Sequence, residues 1–156
     1  MGHNGFDRDG MISVAQSDAD RARLAAAGDQ DLRDDGTDYA GLVVTKPWGS
    51  EWQVFCNAEF SAWRLNINAV AETSMHCHPN KTTVLFVAEG EVEVSTLGKR
   101  FNMVAGNSLV IEPGVFHRTA SVAGAVVMEL ESPTNKRDLV RIDDRYGRAG
   151  TGYECV

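Results

Sequence analysis

Residues 41–131 predict an all-β domain, a barrel or sandwich of short strands, on three observations. From Ser50 onward the chain is a succession of short runs rich in Val, Phe, Trp and Thr, residue types that suit a pleated, half-buried surface. Turn residues separate these runs at close intervals: Glu89-Gly90, Gly98-Lys99, Ala105-Gly106-Asn107, Pro113-Gly114 and Gly124. No helical pattern lies between them, which argues against a parallel α/β fold.

Taken in order, residues 1–16 are rich in Gly and Asp and read as loose. The run SDADRARLAAAG from Ser17 predicts a short helix, capped by Ser17 or Asp18, with acids in its first turn and Gly28 as its stop. DQDLRDDGTD has almost nothing apolar to bury and reads as a linker, so residues 1–40 form a loose acidic segment and residues 41–156 a single domain. Strands are expected at about 50–56, 60–68, 73–78, 83–88, 91–97, 100–104, 108–111, 115–121 and 124–131. From Ser132 the tail is charged and reads as mostly irregular, with Val140 and Ile142 placed to pack it on the barrel.

At 156 residues the chain suits one domain with a real core. Of the formal charge of -7, most lies early, because residues 1–40 hold nine Asp against four Arg. The near-neutral remainder offers no basic patch for nucleic acid. There is neither a membrane-length apolar stretch nor a signal-peptide pattern, so a cytoplasmic protein is expected. Cys56, Cys77 and Cys155 are odd in number, share no metal-ligand spacing, and read as reduced thiols.

Chemistry concentrates in the histidines. His76 and His78 are two apart on an expected strand, so both side chains leave the same face. His117 follows the Pro113-Gly114 turn and enters a later strand. Three imidazoles converging inside a barrel would make one face of a metal's coordination sphere and leave positions open for water or substrate.

Two stretches carry a family resemblance. SMHCHPNKTTVLFVAEGEVEV and AGNSLVIEPGVFHRTA resemble the two cupin motifs, through His76, His78 and Gly90 in the first and Gly106, Ile111, Pro113, Gly114 and His117 in the second. The resemblance implies a double-stranded β-helix, the jelly-roll barrel of the cupins. It also implies one divalent ion (Zn, Mn, Fe or Ni) on His76, His78 and His117. KPWGSEW and ESPTNKRDLVRIDDRYGR are similar to the flanks of small cupins of surface-polysaccharide and nucleotide-sugar biosynthesis, and to the cupin part of type II mannose-6-phosphate isomerases. These relatives imply a sugar or sugar-phosphate ligand and an isomerase or epimerase activity. A three-histidine non-haem iron dioxygenase and a non-catalytic sugar-binding or regulatory cupin are the alternatives.

The sequence departs from the cupin pattern where a Glu is usual after the second His, because Thr82 and Thr83 stand there. Three neutral ligands would leave the ion its full charge and favour anionic chelators. Thr83 is therefore a candidate contact to bound ligand or water. Arg64 and Asn66 share one face of WRLNIN and are candidates to grip an anionic group at the barrel mouth. Lys81 and Glu112, each near a ligand in sequence, are the candidate proton-transfer residues. Cys77 should point away from the ligands. A homodimer is expected, with Trp48, Trp52 and Phe55 at the contact.

Overall fold

The computed structural model describes residues 10–153. Its elements are β1 (Met11–Val14), α1 (Asp18–Ala26), β2 (Val43–Lys46), β3 (Gly49–Cys56), β4 (Ser61–Ile67), β5 (Ala71–Glu72), β6 (Met75–Cys77), β7 (Thr82–Thr96), β8 (Arg100–Val104), β9 (Ser108–Ile111), β10 (His117–Ser121), β11 (Ala125–Ser132) and β12 (Val140–Asp143). They curl into two facing sheets, as a double-stranded β-helix requires. One runs β2-β3-β4-β11-β7-β9-β1. The other runs β8-β7-β10-β6-β12, with β5 also on β10. Every pairing is antiparallel except β1 on β9.

The long β7 belongs to both sheets: Thr83–Gly90 pair with β9 and β11, and Glu91–Thr96 with β8 and β10. The sequence places a turn at Glu89-Gly90, and the chain instead continues through a bulge opposite Val126/Val127. Gly90 is needed there because its φ is 81° and a Cβ would stand 2.7 Å from the Gly124 carbonyl oxygen.

Strict alternation fills the barrel. On β4, Trp63, Leu65 and Ile67 point inward, meeting Leu85 and Val87 of β7, Val127 of β11 and Leu109 and Ile111 of β9 in one core. Trp48, expected at a contact between copies, belongs to this core and is only 4% exposed. Trp52 lies half-buried against Arg64, whose guanidinium carbon is 5.3 Å from its ring, while Phe55 is exposed and packs on Phe60. No helix among the described residues is long and apolar enough to cross a membrane.

Residues 10–40 correct the expectation of a loose segment, while that for residues 1–9 lies outside the described residues. The helix forms with the full capping box, Ser17 and Asp20 each accepting from the other's backbone N–H. β1 adds a strand to β9, Val14 and Tyr39 enter the core, and Leu24, Ala27 and Leu32 cover Cys77, Phe116 and Val140. A few large apolar residues, widely spaced, are enough because each docks on a preformed surface. Within the irregular tail, Val140 and Ile142 do pack as expected, as part of the extra strand β12.

Asp20 ties this segment to the barrel. It is 3% exposed, and its Oδ1 accepts the Phe116 N–H at 3.0 Å, one residue before His117. Asp20→Ala should leave that buried N–H unpaired and remove half of the capping box, a loss of about 1–3 kcal/mol. At about 2–4 °C per kcal/mol for a chain of this size, thermal unfolding should start several degrees lower. An unchanged melting temperature would show that residues 10–40 only rest on the surface.

Candidate metal centre

His76 lies in β6 and is the register partner of His117 in β10. His78 follows β6 directly, two residues on and therefore on the same face. The Gly114 N–H donates to the His78 carbonyl at 2.9 Å, which locks the Pro113-Gly114 turn onto the His76–His78 segment. A side chain at position 114 would meet both a φ of 79° and Gln16. The three rings gather with centroids 4.6, 5.0 and 5.5 Å apart, all buried.

Each imidazole is oriented from behind. Nδ1 lies 2.9 Å from the Ser74 carbonyl in His76, 2.7 Å from the Asp138 carbonyl in His78 and 2.9 Å from the Val115 carbonyl in His117. A carbonyl only accepts, so each Nδ1 carries the proton and each Nε2 presents a bare lone pair toward the centre. Burial first, with repulsion from His117 and its neighbour His78, holds His76 well below its ordinary pKa. Burial and then Lys81 do the same to His78. Burial pushes His117 down to about 4, against opposing pulls from the Val115 carbonyl and Asp20. All three are neutral at pH 7, the form that ligates metals.

These residues fit a divalent ion. Among the described residues, the buried Nε2 atoms of His78 and His117 have no hydrogen-bond partner, a costly state for polar atoms that a cation would relieve. The ligand atoms of His76, His78 and His117 all lie within 4.8 Å of one another.

A second group meets the same spacing: His78, Glu129 and Glu131. The sequence reading, which left the shell without a carboxylate, missed both acids. They sit on the inward face of β11 together with Ala125 and Val127, and Glu131 is the register partner of Thr83. The position that lacks a Glu on β7 thus has one on the adjacent strand. The available signal was VVMELES itself, where acids occupy the inward positions of an otherwise apolar strand.

Lysines from distant segments compensate these acids. Lys81 reaches Glu131 at 3.0 Å, and Lys136 reaches Glu131 at 3.0 Å, Glu129 at 3.3 Å and Glu51 at 3.8 Å. Lys136 also lies 4.0 Å over the Trp63 ring, and Lys46 is 3.9 Å from Glu51. Burial works against the charge of Glu131, but Lys136 and Lys81 outweigh it and hold the carboxyl well below the usual range. In Glu129 burial dominates over the pull of Lys136, and repulsion from Glu131 adds to it, so its pKa rises. A carboxylate locked between two ammonium groups therefore stands beside a carboxyl that keeps its proton more readily.

The remaining candidates divide. Lys81 is brought to the site, but its ammonium is committed to Glu131 and, at 3.0 Å, to the Asn135 carbonyl. Thr83 is buried, and its hydroxyl has no partner among the described residues. Glu112 is exposed on its turn. Arg64 and Asn66 are not brought to the histidines: they alternate with the inward residues of β4, lie on its outer face, and bond to each other at 3.1 Å. Cys77 points into a separate apolar cluster, its thiol pushed up to about 12 by burial.

His76, His78, Glu129, Lys136, Arg141 and Tyr153 help to line a cavity of about 50 Å³. Residues 63–130, which include all three histidines, match the family model of the cupin domain. No curated protein sequence matches the chain. Among solved structures, KdgF from Halomonas sp. superposes with a TM-score of 0.54 at 19% identity, covering 62% of this chain and 86% of that one. An RmlC-like cupin from Shewanella frigidimarina gives 0.55 at 23%, covering 67% and 92%. A cupin-superfamily sugar phosphate isomerase from Silicibacter pomeroyi gives 0.51 at 17%, covering 55% and 59%.

Proposed function

On the premise that residues 63–130 are a cupin domain, we propose that this chain is a metal-dependent enzyme of the isomerase or epimerase type, acting on a sugar or sugar phosphate. The observation that carries the reading is the triad of buried, neutral, carbonyl-oriented histidines, two of which, His76 and His78, line one cavity together with the carboxyl group of Glu129. His76, His78 and His117 would hold a divalent ion, which when bound supplies a Lewis acid for a carbonyl oxygen.

The other roles belong to the chain's own groups. Glu129 carries a proton to and from the carbon beside the substrate carbonyl. Lys136 and Glu131 position it, since Lys136 Nζ bridges both carboxyl groups. Lys81 anchors Glu131 from behind. The apolar walls, Trp48, Leu65 and Leu139, exclude water from the reacting carbon. The sugar phosphate isomerase with the same fold supports the substrate class. The carboxyls beside His78 weigh against the dioxygenase reading, whose argument was a shell without them.

The test is proton exchange. Protein incubated in deuterated water with aldose or ketose phosphates should wash deuterium into the carbon next to the carbonyl, read by NMR. No exchange across such a panel, with the metal bound, would overturn the isomerase reading.

A further inference from the structure

The outward face of the sheet β2-β3-β4-β11-β7-β9-β1 is apolar, where the outer face of an antiparallel sheet is ordinarily polar. Register aligns one row across it: Val43, Trp52, Arg64, Met128 and Phe86 on the first five strands, then Ser108 and Met11 at the far edge. The adjacent row is Phe55, Ala62, Leu130, Val84 and Val110. Val43, Met11, Phe55 and Phe86 are 36–59% exposed, while Trp52, Met128, Leu130 and Val84 are half-buried. Trp52 and Phe55, which the sequence expects at a contact between copies, both belong to these rows.

With strands about 4.8 Å apart and rows about 7 Å apart, the two rows cover about 400 Å² in plan. Contiguous exposed apolar patches beyond a few hundred Å² mark interaction sites. Polar residues flank the patch: Ser50, Asn66 and Glu89 beside the first row, Thr82 and Ser132 beside the second. With them the face approaches the roughly 800 Å² that each partner buries in a stable complex. Its apolar centre and polar rim are the anatomy of such an interface.

We infer that this face binds a second copy of the chain, the two sheets packing face to face about a two-fold axis along β11. Charge placement favours that occupant. β11 is the central strand, with Arg64 on β4 to one side and Glu89 on β7 to the other. The axis sets Arg64 of each copy over β7 of the other, one row from its Glu89, and brings Met128 against its own counterpart. A two-fold contact needs only one patch, used by both copies, and aligned sheets stack about 10 Å apart. The chain's own first residues are a poor cover, since residues 1–9 hold Met1 and Phe6 as their only large apolar side chains. A formal charge of -7 and a single Arg in the rows disfavour an anionic lipid surface. The face lies outside the barrel, so the inference holds with or without a metal on the histidines.

Sedimentation velocity on the full chain tests it. A dimer is expected at tens of micromolar, and a monomer there would overturn the inference. Met128→Glu sets like charges against each other at the axis and should weaken the dimer about a hundredfold. Val122→Glu, at a position 84% exposed in the turn before β11 and off this face, should leave it unchanged. A dimer that survives Met128→Glu, or that Val122→Glu breaks as readily, would overturn the assignment. Arg64→Glu and Glu89→Lys change outward side chains and spare the core. Each alone should weaken the dimer about tenfold, and the two together should recover most of the loss. A combination as weak as the sum of the two would overturn the two-fold arrangement. None of these positions touches the histidines, so failure here leaves the proposed metal function intact.

Discussion

Lys81→Met should destabilise the fold by about 3–5 kcal/mol, the cost of stripping a partner from a buried ion pair. Methionine keeps most of the side-chain stem, so the loss reports charge rather than volume. The Lys81 and Glu131 side chains are both fully buried, and the ammonium also satisfies the Asn135 carbonyl. Without it, Glu131 shares a single lysine with Glu129 and Glu51. Urea unfolding should show the midpoint falling with an unchanged slope. Lys81→Met combined with Glu131→Gln should recover much of the loss, because the uncompensated charge goes too. A single variant as stable as its parent would mean that Lys136 alone neutralises the acids.

The second large effect is functional. Glu129→Gln should lower deuterium wash-in by a factor of about 10²–10⁴, the usual contribution of a positioned acid or base. Gln matches Glu in shape and still reaches Lys136 through its carbonyl oxygen, so metal content and melting temperature should stay near the parent's. Exchange at the parent's rate in this variant would move the proton-carrying role elsewhere. A loss of metal along with exchange would recast Glu129 as a ligand.

The contrast between what the chain reveals locally and what only the fold reveals has a physical origin. The strand runs, the Pro113-Gly114 turn and the His76–His78 spacing are readable because they depend on residues a few positions apart. The acids of β11 are passed over for the same reason, since nothing local shows that Lys81 and Lys136 fold in to meet them. Arg64 and Asn66 illustrate the converse: their shared face was clear, but which face met the core depended on Trp63, Leu65 and Ile67 burying more apolar area. The N-terminal segment was underestimated because Val14, Leu24, Leu32 and Tyr39 look sparse in sequence. Val14 meets Ile111, and Leu24 and Leu32 meet Phe116 and Val140, all 84 to 116 residues away, while Tyr39 meets the nearer Trp63.

That His76, His78 and His117 hold one divalent ion is the claim on which the proposed chemistry depends, and elemental analysis of protein purified without chelators reads it out. The parent should carry close to one equivalent. The triple variant His76→Ala/His78→Ala/His117→Ala should carry almost none, because metal binding is lost with its ligands. A triple variant as rich in metal as the parent, or a parent with none after incubation with zinc, manganese, iron or nickel, would contradict the claim.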